Sequence, residues 1–425
     1  MITGLRSTEN TMTSPLVRPD QGPGMLGFLV VCYAALLPYQ FPVGTAINFA
    51  PADCCVLLVL LLAPGQLKYR KPAWTIWHLG LVLTFVAGSF LSALRTGELS
   101  RYDLLNKDLG LLLLLLGYAA VTSVVTDWAD LRRILRVFTL SVVFQNVLAV
   151  GAFLAGYLFG IATPFTAYGG SRLSGMLIDP NAYGGLLVVT LVICEGASWG
   201  LAPLFRGLPL FLCRMTLGLG ILFTFSRSAW VGLGLALVLL CMVRSIVALR
   251  LLLAALIGGP CLFLLLGQRF LPFFEQMASR PDQVQDRFTL IHDAMEAFVQ
   301  HPFLGGGLGS FRIAVGTVMH NSALWFLADF GLVGLAVFCG FLGWFFIKAW
   351  NAYRLAPDEE KPVALALLLA HTAMVGLAVG IEAFYQRQWW LMLALIAASS
   401  SLVRCPARYF QRESSGAFTA GESTI

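Results

Sequence analysis

Residues 320–334 read "HNSALWFLADFGLVG". A histidine and an asparagine stand at the mouth of an apolar run that otherwise reads as a membrane helix, and polar side chains are costly at that depth. The composition agrees with a membrane setting. Of 425 residues, 58% are hydrophobic and 12% are charged, with a mean hydropathy of +0.80. The charged share is about half the roughly 25% usual in soluble domains. A soluble core cannot bury that much apolar surface. Apolar stretches of about 20 residues recur, each long enough to cross about 30 Å of hydrocarbon. Backbone groups in lipid must be satisfied internally, so these stretches read as helices, not as the alternating strands of a membrane barrel. The expected fold is all-α: a polytopic integral membrane protein of about twelve transmembrane helices. The spans centre near Tyr33, Val56, Leu83, Leu115, Leu148, Val188, Leu217, Leu235, Ile257, Val337, Met374 and Leu393. Residues 1–24 form an N-terminal tail, 25–403 the transmembrane domain and 404–425 a C-terminal tail.

The first segment is polar, with Pro15, Pro19 and Pro23. It lacks the short apolar core and small-residue cleavage site of a signal peptide, so the first span is expected to be retained. Of nine cysteines, all but Cys405 lie in or beside apolar segments. That distribution gives no disulfide framework and no metal-ligand spacing. A net charge of +6 on a membrane chain reports topology rather than nucleic-acid binding.

Orientation follows the distribution of Lys and Arg. With a cytoplasmic N-terminus, every inner loop is basic: Lys68, Arg70 and Lys71; Arg132, Arg133 and Arg136; Arg206; Arg244 and Arg250; Lys348, Arg354 and Lys361; then Arg404, Arg408 and Arg412. Both termini are therefore expected in the cytoplasm. The outer side also carries basic residues: Arg95, Arg101, Lys107, Arg172, Arg227, Arg269, Arg280, Arg287, Arg312 and Arg387. The positive-inside trend does not account for them. The longest loop, 268–319, is outer as well, so His320 opens a span from the outer face.

Within that loop, Val284, Phe288, Ile291, Met295 and Phe298 step by four, three, four and three, which predicts an amphipathic helix over 282–300 lying along the interface. "HPFLGGGLGSF" follows at 301–311. Its glycines permit tight turns and close backbone approach, and it matches neither a Walker loop nor a dinucleotide fingerprint.

The polar groups each read two ways. His320 is a snorkelling or capping residue at a helix mouth, or a general base whose neutral imidazole takes a proton from a hydroxyl. Asn321 is an N-cap or a substrate ligand. Arg227, in "TFSRSAW" (224–230), sits between two apolar runs with almost no loop; it snorkels outward, or it serves function, as intramembrane arginines do by default. Arg172, in "YGGSRLSGMLIDPN" (168–181), is a solvated loop residue or part of a shaped site, with Asp179 orienting the turn. Two arginines and a histidine on one face suit an anionic substrate, because guanidinium binds phosphate through a fixed fork of donors. A membrane setting suggests a lipid-borne phosphate. Asp329 is expected to meet a partner inside the bundle. His78 and His371 are expected to be packed, and His292 and His301 solvated. Arg387, in "YQRQWW", is a weaker substrate-binding candidate.

"HNSALWFLADFGLVG" resembles the signature of the O-antigen ligase and polymerase superfamily: His320, Asn321, nine residues, then Gly331-Leu332-Val333-Gly334. "HPFLGGGLGSF" looks like that family's Pro/Gly-rich loop, and "RLSGMLIDPNAYGG" and "SRSAWVGLG" look like its arginine-bearing segments. The resemblance covers about residues 165–335. It implies a GT-C-like, metal-independent membrane glycosyltransferase without cofactors. Such a protein passes a glycan from undecaprenyl diphosphate to an acceptor hydroxyl at the periplasmic face of the bacterial inner membrane, in lipopolysaccharide or exopolysaccharide synthesis. Carried over by motif, Arg172 and Arg227 hold the diphosphate and His320 activates the acceptor for one inverting displacement. No Asp-x-Asp pair of the kind used by metal-dependent transferases occurs. The outer loop is short for a ligase that admits a lipid A core, so a polymerase acting on another glycan repeat stays equally open. Rival classes are a flippase of lipid-linked saccharides, for which repeat symmetry and a central charged path are expected, and a non-catalytic assembly subunit, in which His320 is replaceable.

Overall fold

The computed structural model describes residues 24–43, 47–63, 71–97, 100–160, 163–167, 171–177, 179–247 and 281–404, with scattered positions between 249 and 264. The expected tails lie almost wholly outside these residues, as does the loop stretch 268–280. The span expected near Ile257 falls where the description is only partial.

The described chain is almost entirely helical. It begins with α1 (Met25–Leu36), a two-stranded pair β1 (Phe41–Val43) and β2 (Ile47–Phe49), α2 (Pro51–Leu62) and α3 (Ile76–Thr96). A helical turn α4 (Arg101–Asp103) runs through one π-helical turn, Leu104–Asp108, into α5 (Leu109–Val124), and α6 (Trp128–Phe159) follows. A second antiparallel pair, β3 (Thr166–Ala167) and β4 (Arg172–Leu173), precedes α7 (Pro180–Gly196), α8 (Gly207–Thr224) and α9 (Arg227–Val243). The amphipathic helix α10 (Pro281–Gln300), a short α11 (Ser310–Val315), α12 (Ser322–Leu355), α13 (Lys361–Ala378) and α14 (Arg387–Arg404) complete it.

Among the described residues six helical segments are long and apolar enough to cross a bilayer, and α1, α2, α7 and α9 are shorter apolar helices. The helical membrane fold thus agrees with expectation, while a count of twelve spans is not reached by that measure. Several helices start at the polar residues that cap exposed N–H groups. Asp127 accepts from the Asp130 amide at 2.7 Å to open α6, and Asp179, Ser226 and Asn321 do the same for α7, α9 and α12.

Helix α13 lies at the centre, packed against α7, α9, α12 and α14. Small residues let it approach α9 closely: a Cβ on Gly376 would lie 2.8 Å from the Gly232 Cα. Between membrane helices, where lipid supplies no hydrophobic drive, such contacts carry association. An aromatic cluster joins α3, α12 and the 379–386 turn, with Phe326 stacked on Phe338 at 4.4 Å and Phe85 beside Phe330 and Phe384. At the opposite end of the bundle Arg132 clasps Glu360 through Nε–Oε2 at 2.9 Å and donates to the Glu359 carbonyl.

Candidate functional site

Helix α12 breaks at Gly331, whose φ of 64° and ψ of −159° lie outside helical space and suit only glycine. In an unbroken helix Leu332 and Val333 would donate to the carbonyls of Ala328 and Asp329. Here those amides donate instead to Pro302 and Phe303, at 2.9 and 3.1 Å, while Gly306 and Gly307 donate to the Ala328 and Asp329 carbonyls at 3.1 and 2.9 Å. The Pro/Gly-rich segment therefore supplies all four partners that the break removes. In a membrane bundle each group left unpaired would cost several kcal/mol, so the loop and the Gly-x-x-Gly motif are two halves of one device. The approach is close: a Cβ on Gly331 would fall 2.5 Å from the Phe303 carbonyl carbon.

Asp329 completes the attachment. It is 1% exposed, and it accepts from the amides of Gly309 and Phe311 at 2.9 and 3.0 Å, the Ser310 hydroxyl at 3.1 Å and the Trp325 indole at 2.8 Å. The interior partner expected for Asp329 is thus the start of α11. Arg95 holds the same strap from α3, through the Gly305 carbonyl at 2.9 Å.

Helices α8 and α9 are joined by Phe225 and Ser226 alone. Phe225 adopts left-handed φ 48°, the single non-glycine residue to do so among those described. Such a backbone costs about 1 kcal/mol and persists where neighbours over-determine it. Arg172 is one such neighbour. It is buried, and its Nε donates to the Thr224 carbonyl at 2.8 Å while an Nη donates to Asn181 Oδ1 at 2.9 Å. Asn181 is in turn held by Asp179, which orients the turn as expected. Arg172 is neither solvated nor a bare cation; it binds α7 to the turn that aims Arg227.

Arg227 is exposed at the first position of α9, where the helix dipole disfavours a cation and favours an anion. Arg287 of α10 is partly buried near it; burial first, then the charge of Arg227, lowers its pKa from the ordinary guanidinium value. Among the described residues neither arginine forms an ion pair with a carboxylate. Other basic groups at this end are engaged. Arg312 pairs with Asp103 at 2.7 Å, Arg387 forks onto Asp53 at 3.0 and 2.7 Å, and buried Lys107 pairs with Glu382 beneath Trp325 and Tyr385. Among the described outer cations, packing thus pairs Lys107, Arg312 and Arg387 with carboxylates, ties Arg95 and Arg172 to carbonyl and amide oxygens, and leaves Arg227 and Arg287 without an ion pair. Arg287 was read from sequence only as one of ten outer cations, and its isolation from carboxylates is a property of the fold.

His320 is exposed just before α12. Asn321 is the N-cap, accepting from the Leu324 amide at 3.0 Å, and its Nδ2 donates to the Val379 carbonyl at 2.9 Å. Ser322 donates to the Ile381 carbonyl at 3.0 Å. That 379–383 turn reaches α9, because a Cβ on Gly380 would lie 2.1 Å from the Ser228 hydroxyl. A continuous chain of contacts therefore runs from His320–Asn321 through Gly380 to Ser228–Arg227, then through Thr224 to Arg172 and Asn181. The N-termini of α7, α9 and α12 meet there, and their dipoles add positive potential. Arg387 is not in this chain. His371, with Trp389 Nε1 donating to its Nδ1 at 3.0 Å, is a packed core residue as expected, and His78 caps α3 through Thr75.

Helix α10 packs through Leu290 and Ala294 and leaves Phe288, Ile291, Met295 and Val299 exposed. The helix is as expected, and Phe288, Ile291 and Met295 of its apolar stripe stay outside the protein core, as a helix lying along the interface requires. His292, Asp293 and Glu296 bring one ligand atom each within 4.8 Å of one another, a grouping with no signature in the sequence.

Residues 212–339 match the family model described as O-antigen ligase. The match takes in Arg227, Arg287, the strap, His320 and the α12 break. No curated protein matches the chain.

Proposed function

We propose that this chain, which carries a domain matching the O-antigen ligase family model, is a membrane glycosyltransferase that moves a glycan from undecaprenyl diphosphate to an acceptor hydroxyl. The observation that carries the reading is the unneutralised Arg227–Arg287 pair at converging helix N-termini, joined by contacts to the turn before His320. Two guanidiniums that are not engaged by carboxylates are available to an anion, and a diphosphate has the charge and the acceptor oxygens to take them.

His320 takes the proton from the acceptor hydroxyl as its oxygen attacks the anomeric carbon. The anomeric C–O bond to phosphate breaks in the same displacement, with inversion. Arg227 and Arg287 offset the charge that grows on the departing undecaprenyl diphosphate, a contribution often worth a few kcal/mol per donor. Arg172 acts one step back by bracing the α8–α9 turn, and Asn321 sets the position of His320 by capping α12. Arg387, forked onto Asp53, stabilises the bundle. With two guanidiniums at the leaving group the reaction proceeds without a metal, at the periplasmic face of the inner membrane.

The test uses purified protein, a lipid-linked oligosaccharide donor and candidate acceptors, with chelator present. Transfer by wild type and none by His320→Ala is the expected result, and the acceptor that becomes labelled separates ligase from polymerase. Full transfer by His320→Ala would return the histidine to a role at the helix mouth. Donor translocation across vesicles without transfer would favour a flippase.

A further inference from the structure

A second polar locus lies beside the strap. A cavity of about 550 Å³ opens between the end of α3, the C-terminal half of α10 and α11, a size usual for small-molecule sites. Asp293, Glu296, Gln300 and His301 line it from one side of α10. The spacing of three and four places Asp293, Glu296 and Gln300 on a single helical face, and His301 follows directly after the helix end. Ile313, Ala314 and Val315 of α11 form an apolar wall opposite. Arg95 also borders the cavity, but its guanidinium already donates to the Gly305 carbonyl, and Ser310 is committed to Asp329. Asp293 also lies 3.7 Å from His292 on its own helix, so the polar lining offers two carboxylates, an amide, an imidazole and the remaining N–H donors of Arg95.

We infer that this cavity binds the acceptor, and that the saccharide it takes is uncharged. Carboxylates accept strong hydrogen bonds from vicinal hydroxyls, the amide adds a donor and an acceptor, and the apolar wall suits the C–H face of a sugar ring. Two carboxylates against one engaged guanidinium repel phosphorylated or carboxylated glycans. Charge along α10 is thereby divided. Arg287 faces the anion site, while Asp293 and Glu296 stand roughly 9–14 Å further along the axis at 1.5 Å per residue, about the reach of a short glycan. The strap that borders the cavity is fixed to α12, the helix His320 precedes. This inference rests on the transferase reading and names its acceptor class: a neutral glycan stretch, as in a repeat-on-repeat polymerase, rather than a phosphorylated core.

Full-length protein in detergent would be applied to an array of neutral, carboxylated and phosphorylated oligosaccharides, with size-exclusion profiles as a folding control. Wild type is expected to retain neutral glycans selectively. Asp293→Asn/Glu296→Gln removes the charged acceptors and is expected to weaken retention at least about tenfold, and Ala314→Trp is expected to abolish it by filling the cavity. The double variant changes only partly or fully exposed side chains, so it keeps the test decisive if the tryptophan variant misfolds. Preference for phosphorylated glycans, equal retention by both cavity variants, or no retention of neutral glycans overturns the inference. The transfer assay is scored separately. Glycan retention without any transfer would leave the cavity as a saccharide site and remove the transferase reading instead.

Discussion

Arg227 and Arg287 are the residues at which charge and fold disagree most. Among the described residues each is a cation without a carboxylate, and one sits at a helix N-terminus. Arg227→Gln and Arg287→Gln are each expected to lower transfer by about 10²-fold, a range typical for one lost charge-stabilising donor. The double variant should lose less than the product, because both act on one diphosphate. Inorganic pyrophosphate should inhibit wild type and lose potency in either variant; unchanged inhibition in both would remove the anion site. Arg172 gives the contrasting outcome. Arg172→Lys cannot span Thr224 and Asn181 with a fixed fork, so it should reduce melting temperature as well as rate, whereas Arg227→Gln should leave melting unchanged. The sequence made Arg172, Arg227 and His320 visible, because arginine and histidine beside apolar runs are conspicuous. It could not separate Arg227 from Arg387 or Arg312. Their partners, Asp53 and Asp103, lie 334 and 209 residues away, and only packing brings them in.

At the scale of elements, the strap and the broken α12 stand or fall together. Gly331→Ala places a methyl against the Phe303 carbonyl and penalises a positive φ. It is expected to free the strap, shown by new protease cleavage within 301–309 and loss of transfer. Gly343→Ala, further along α12, meets open space and should leave the strap in place; equal effects would argue against the backbone exchange. Asp329→Asn keeps the shape but turns an amide donor toward groups that already donate. A cost of about 1–3 kcal/mol is expected, read as earlier thermal unfolding in detergent. The sequence reading had both the Gly-rich stretch and the Gly-x-x-Gly motif, yet not that they pair. Hydrogen bonds between residues 302–307 and 328–333 have no periodic signature. On α10 the period of the helix was legible, while its inward face depended on where α11 and α12 lie.

The whole molecule has two polar ends separated by an apolar body. One end holds His320, Arg227 and the cavity; the other holds the Arg132–Glu360 clasp. Thr317 and Asp358 are exposed at the two ends. In a background with native cysteines replaced by serine, Thr317→Cys should react with an impermeant maleimide added to intact spheroplasts, and Asp358→Cys only after the membrane is opened. Labelling of both from one side would contradict the orientation assigned from the basic loops. Composition and loop charge carry most of this scale in the sequence. The number of crossings is less legible, because helices such as α1 and α2, of 12 residues each, fall short of a full bilayer crossing by themselves.

The backbone exchange also governs where this architecture tolerates change. From Pro302 to Gly307 the strap is stitched to α12 at four points, so inserting or deleting one residue there shifts every stitch out of register. Length variation is free only on either side, before α10 or between α11 and His320. The second would lengthen the tether on which His320 is carried. The seam thus fixes the register of strap and helix while the stretch between α11 and His320 stays adjustable.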